Sequence, residues 1–151
     1  MVAGKIIAAS GSTAAYWATN IGASLLAHPE VCPLYVLVNL GVNDMYYGAT
    51  EESFKADYGS LLDQIHAYWP DAQVGYAHVW HRLGAAEDAT LNTWIDAVIA
   101  DGREAWTFPG PDEQVWLEGG DDGATMTYDG THYSTAGKTE CAAQWKTAMG
   151  L

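Results

Sequence analysis

Basic residues are scarce in this sequence: six Lys and Arg stand against 19 Asp and Glu, a formal charge of −13 over 151 residues. A surface this acidic is repelled by phosphate backbones and by anionic membrane surfaces, which argues against nucleic acid and against a membrane as partners. Its plainest meaning is a well-solvated exterior. Cysteine is scarcer still, with only Cys32 and Cys141, far apart and in no C-x-x-C spacing, so neither a zinc site nor a redox motif is indicated. Two buried thiols are the default expectation. Long apolar runs are missing as well. The opening MVAGKIIAAS carries one Lys and an apolar stretch too short for the core of a secretory signal and far too short for a membrane span.

What is present is bulk suited to a core. Apolar residues make up 49% of the chain and charged residues 17%, with seven Trp and nine Tyr, the profile of a packed globular protein. The length fits one domain, residues 1–151, able to bury a single core without metals or many disulfides.

Lys5 to Ala9 is a short apolar run that stops at the small-residue turn Ser10-Gly11-Ser12-Thr13, as a buried strand would. Tyr16, Trp17, Ile21, Leu25 and Leu26 then fall at helical spacing, and His28-Pro29 closes that stretch because the residue before proline disfavours the α region. Leu34 to Leu40, LYVLVNL, is rich in Val and Leu with little alternation, which predicts a strand buried on both faces in the middle of a parallel sheet. Thr50-Glu51-Glu52 offers a cap and acids at the positive end of a helix dipole, with Phe54, Tyr58, Leu61, Leu62, Ile65 and Trp69 as its buried stripe and Pro70 as its end. Gln73 to Trp80 reads as the next strand, followed by the loop HRLGAAED and a helix whose core face is Leu91, Trp94, Ile95, Val98 and Ile99, ended by Asp101-Gly102. A further strand is expected near Ala105 to Phe108. The segment from Pro109 to Thr131, rich in Gly and Pro and without a sustained period, reads as a long loop of the kind that carries function. Ser134 caps a final helix to about Met149, with Cys141, Trp145 and Met149 on one face. No internal repeat or linker is visible. Strands alternating with helices predict an α/β sandwich with a mostly parallel sheet, whose ligands bind at the carboxyl ends of the strands.

Several groups gather there. Gly41-Val42-Asn43-Asp44 follows the strongest strand. Glycine permits a tight turn, and an asparagine just beyond it can aim its amide at a developing oxyanion above the sheet edge, although a plain Asx turn uses the same residues. Asp129-Gly130-Thr131-His132 places a carboxylate three residues before a histidine, close enough to hold one ring nitrogen and leave the other as a general base; the bland alternative is a loop Asp and a surface His. His78, Trp80, His81 and Arg82 cluster at the end of the Gln73–Trp80 strand and could line a pocket with Asp44, although alternation puts His78 and Trp80 on the same face and one of them in the core. The histidines lack a ligand spacing with a carboxylate, so no metal is expected. Asp121-Asp122 lacks the alternating acids and terminal Glu of a calcium loop and reads as a solvated turn.

The G-x-N-D at 41–44 and the D-x-x-H at 129–132, in this order and these settings, resemble blocks three and five of the SGNH (GDSL-type) hydrolases, and Gly11, about thirty residues before Gly41, resembles the block-two glycine. The resemblance runs from about Ile6 to the C-terminus. It implies a three-layer α/β/α sandwich, flavodoxin-like, with a mostly parallel sheet of four to five strands, truncated at the N-terminal side or lacking one strand. It further implies an oxyanion hole from Gly11 and Asn43, His132 as base and Asp129 as its orienter, a small-molecule ester as substrate and no cofactor. The family's block one, a strand ending in G-D-S with the nucleophile, belongs upstream of block two. Two placements follow. Ile6 to Ala9 is the first strand, with Ser10 or Ser12 as nucleophile and an edge strand lost; or it is the second strand and the nucleophile strand is missing, which the spacing favours. On the second placement Ser10 and Ser12 are small residues of a helix-capping turn.

Three functions stay open: a serine esterase acting on short acyl or acetyl groups, such as those on carbohydrate; a non-catalytic domain that keeps the turn and the D-x-x-H; and a homo-oligomer in which a second protomer covers the gap of the missing strand, an interface the aromatic excess would suit.

Overall fold

A computed structural model describes residues 6–80, 85–118 and 125–151. Three strands, β1 (Tyr35–Val38), β2 (Gln73–His78) and β3 (Thr107–Asp112), form a parallel sheet in the order β1-β2-β3. Six helices accompany them among the described residues: α1 (Ala14–Leu26), α2 (Val42–Tyr46), α3 (Glu51–Tyr68), α4 (Ala85–Ala100), α5 (Glu113–Glu118) and α6 (Thr135–Ala148). The α/β class and the parallel sheet agree with the sequence reading.

The helix ends are set where the caps predict. Thr13 accepts the Tyr16 N–H at the start of α1. Thr50 and Ser53 exchange side-chain and backbone bonds in a capping box that opens α3, with Glu51 and Glu52 in its first turn. Ser134 accepts the Gly137 N–H at the start of α6. Each such cap is worth about 1 kcal/mol.

Alternation along β2 separates two cores. Val74 and Tyr76 face a large cluster built from Ala14, Ile21 and Leu25 of α1, Phe54, Tyr58, Leu61, Leu62 and Ile65 of α3, and Leu91, Ile95, Val98 and Ile99 of α4. Gly75 and Ala77 face the other way, toward α6. There Trp145 lies against the backbone of two strands: a Cβ on Gly75 would stand 2.7 Å from its ring, and one on Gly110 only 2.2 Å. Any larger residue at either position would push α6 off the sheet. This second core is small, with Ala77, Cys141 and Trp145 buried and Phe108, Trp116, Tyr133 and Met149 partly so.

Four expectations change. Ile6 to Ala9 form no strand: Ile6 is 89% exposed and the segment is irregular, so the sheet has three described strands where four to five were expected. Among the described strands the run at 34–40 lies at the edge of the sheet, not in its middle. Val36 and Val38 reach the large core, whereas Tyr35 and Leu37, on the face that α6 leaves uncovered, remain 37% and 42% exposed. The segment from Pro109 is not all loop, since it completes β3 and forms α5. Pro109 and Pro111 are tolerated because β3 lies at the edge of the sheet, where a strand can do without some backbone donors. Finally Cys32 is exposed, and only Cys141 is buried; both are free thiols.

Candidate active site

The carboxyl end of the sheet receives two separate pieces of machinery. The first is the turn after β1. Gly41 adopts φ 145°, a conformation that side chains disfavour, and a Cβ there would meet Leu91 of α4 at 2.4 Å; only glycine fits. The turn runs directly into α2. Asn43 then donates from Nδ2 to the Ser12 carbonyl at 3.0 Å, which ties α2 to the Ser10-Gly11-Ser12 turn, where Gly11 has φ 70°. One N–H of the Asn43 amide is used in this bond, and the amide has a second.

Asp44 does not open toward a substrate. It is 3% exposed, and both of its carboxylate oxygens accept the Ala14 N–H, at 2.9 and 3.1 Å. It thus caps the first turn of α1 from a distance of thirty residues and locks the two halves of the turn together. Burial raises its pKa to about 6, with the Ala14 bond pulling the other way. Of the two serines, Ser10 is exposed and Ser12 half-buried, its Oγ accepting the Trp17 indole N–H at 2.8 Å.

The second piece is the loop before α6. Asp129 Oδ1 accepts the backbone N–H groups of Thr131 (3.0 Å) and His132 (2.7 Å), while Oδ2 lies 2.7 Å from His132 Nδ1. These bonds, the His132 backbone N–H first and its ring next, hold the Asp129 pKa down at about 2, so the carboxylate is charged. With Nδ1 engaged, Nε2 is the ring nitrogen left to take a proton. The imidazole stacks on Tyr128, centroids 5.6 Å apart, and its side chain is 66% exposed. Among the described residues no hydrogen bond joins Ser10 or Ser12 to His132.

Trp80 is buried, 3% exposed, and so belongs to the core side of the alternatives. His78 is held between two carboxylates, Nε2 2.9 Å from Asp96 and Nδ1 3.5 Å from Asp112, and so turns toward α4. His81, Arg82 and the pair Asp121-Asp122 lie outside the described residues. Among the described residues no cluster of three or more His, Cys, Asp or Glu side chains is arranged to hold a metal.

Three polar residues went unnoticed in the sequence. Asn92, on α4, pairs with both backbone groups of Val79 (2.9 and 3.0 Å) and pins the end of β2. Glu113, at the end of β3, is 3% exposed and meets Asn39 and Tyr133. Asn39 interrupts an otherwise apolar run, and that interruption was the available signal.

The carboxyl edge of the parallel sheet thus carries an amide-bearing turn and a histidine bonded to a carboxylate. The chain belongs to the GDSL-like lipase/acylhydrolase family, whose model matches residues 2–139. A search of curated protein sequences found no match. Among solved structures it is similar to a family 3 carbohydrate esterase of Clostridium thermocellum (22% identity, TM-score 0.72, covering 93% of this chain and 66% of that one). It is also similar to the psychrotrophic esterase EstA of a Pseudoalteromonas species (15%, TM-score 0.72, 93% and 73%) and to an acetyl esterase mutant solved with acetate ion (21%, TM-score 0.73, 93% and 67%). The chain spans about two thirds to three quarters of the length of these proteins. At such identities the likeness establishes the fold.

Proposed function

We propose that the chain carries the site of a serine ester hydrolase for short-chain or carbohydrate-linked esters. His132 acts as general base through Nε2, Asp129 fixes its tautomer, and the Gly11 amide with the free N–H of Asn43 receives the oxyanion. The nucleophile is drawn from the Ser10–Ser12 turn. Ser12 takes the Asn43 bond on its carbonyl and the Trp17 indole N–H on its hydroxyl, and Ser10 is the more exposed of the two. Acyl transfer then runs through a serine ester that water hydrolyses. The observation that carries this reading is the 2.7 Å bond between His132 Nδ1 and a carboxylate that is itself charged and fixed by two backbone donors. The carbohydrate side of the reading rests on likeness to the Clostridium thermocellum carbohydrate esterase.

The test is labelling of the pure protein with a serine-reactive fluorophosphonate, next to a short-chain ester assay and mass mapping of the adduct. Label on Ser10 or Ser12 that is lost in His132→Ala supports the reading. A folded protein with neither label nor turnover overturns it. That result would favour the second reading, a ligand-binding domain without its own nucleophile, which gains weight from the lack of a serine bond to His132 among the described residues.

A further inference from the structure

Glu113 is the first residue after β3 and is almost wholly buried, yet it is a carboxyl group, the costliest kind of side chain to leave without partners. Two of its partners lie just past the other two strands. Asn39, just past β1, donates to Oε1 at 2.5 Å, and Trp80, just past β2, donates its backbone N–H to the carboxyl. The fourth participant is the Tyr133 hydroxyl, which donates to the same Oε1 and also lies 3.3 Å from Asn39 Nδ2. Three strand ends and one loop residue therefore converge on one buried oxygen pair.

Tyr133 is the residue next to His132. Its ring stacks on Trp116 of α5, centroids 5.8 Å apart, and its backbone bridges Thr127 across the loop. Consecutive Cα atoms are 3.8 Å apart, so fixing Tyr133 fixes the root of the His132 side chain. That side chain has little else to hold it to the body of the protein: it is mostly exposed, and its bonds to Asp129 and its stacking on Tyr128 lie within the same loop. A loop that is ordered internally can still drift as a unit, and a misplacement of 1 Å at a catalytic group costs up to about 10²-fold in rate.

We propose that Glu113 is a positioning residue, which clamps Tyr133 to the three strand ends and so holds His132 over the carboxyl edge of the sheet. The inference rests on the reading of His132 as general base. Burial keeps the Glu113 pKa up at about 8, against the pull of the Asn39 and Trp80 bonds and with the help of nearby charge on Asp88 of α4 and Asp112 of β3; the Tyr133 hydroxyl and the Cys141 thiol of α6 are further titratable groups that face it. A carboxyl held in a desolvated cluster beside a site is a recurrent mark of groups that support a site.

Tyr133→Phe removes the donor and keeps the ring, so it leaves the packing on Trp116 in place. The expected result is a fall of about 10-fold in kcat with KM unchanged. Backbone amides at 126–134 should exchange hydrogen faster while those of α3 keep their rates. Glu113→Gln, which keeps an oxygen for Tyr133, should stay near the parent in both readouts, and Glu113→Ala combined with Tyr133→Phe should cost no more than the larger single effect. A folded Tyr133→Phe protein with the parent's kcat and the parent's exchange at 126–134 overturns the clamp. Faster exchange in Tyr133→Phe, in a parent protein that turns over no ester, upholds the clamp and sinks the esterase reading instead.

Discussion

The two halves of the candidate site are anchored in opposite ways. The turn half, Ser10 to Ala14 with Gly41 to Asp44, is welded to the large core: Asp44 is buried against Ala14, and Gly41 is packed under Leu91. The histidine half, residues 125–134, stands on the small core beneath α6 and reaches the sheet through side-chain bonds to Glu113. Oxyanion donors work by being fixed before the reaction, whereas a base must also exchange protons with solvent. With the proposed roles of Asn43 and His132, the difference suits those two tasks.

The sharpest way to separate the halves is by substitutions with opposite signatures. His132→Ala should lower ester turnover by roughly 10²- to 10⁴-fold and leave the urea midpoint where it was, because the ring is exposed. Asn43→Ala is expected to reduce kcat by about 10²- to 10³-fold, together with a loss of about 1 kcal/mol for its bond to Ser12, measurable by steady-state kinetics and urea titration on the same sample. Asp44→Ala should act mainly on stability. It strips the Ala14 N–H of its acceptor and lowers unfolding free energy by about 1–3 kcal/mol. An Asp44→Ala protein that is inactive but as stable as the parent would refute the structural role given to it here.

The buried carboxyls also predict a pH profile. Glu113 has its folded pKa raised from 4.5 to about 8, and Asp44 from 3.8 to about 6. Between the unfolded and folded values the native state keeps a proton that the unfolded chain has released, so these groups favour folding fully below their unfolded values and lose that contribution as pH rises. Urea midpoints should therefore decline from about pH 4 toward pH 8, and Glu113→Gln should flatten the upper part of that slope. The slope has a ceiling of about 1.4 kcal/mol per pH unit for each group.

The caps at Thr50 and Ser134 and the Asp129–His132 pair were legible because each is a local pattern whose physics closes within a few residues, whereas the partners of Asn43 and Asp44 lie about thirty residues away and were not. The strand proposed at Ile6 to Ala9 failed for the complementary reason. Four apolar residues make a strand only if a neighbouring strand pairs with them, and no local signal reports that. Thr107 to Asp112 was misjudged past Phe108 because TFPGPD carries two prolines and a glycine, which a central strand could not accept and an edge strand can. Asn39 left a signal by interrupting its apolar run, but its meeting with Glu113 did not: Asn39 lies 74 residues from Glu113 and Tyr133 20, and nothing in either stretch says that they meet.

The half-covered face of β1 has a consequence for how the protein behaves in bulk. Leu34, Tyr35 and Leu37 present apolar surface along a strand edge, the geometry by which one sheet can add to another, while the net charge of −13 pushes copies apart. Repulsion of that kind reaches about 30 Å at 0.01 M salt and about 8 Å at 0.15 M. Colloidal stability should thus fall as salt is added, seen as a rise in light-scattering mass, and Leu37→Lys should abolish the rise. Screening of the charge, set by ionic strength, is then the expected control on any self-association of this acidic chain.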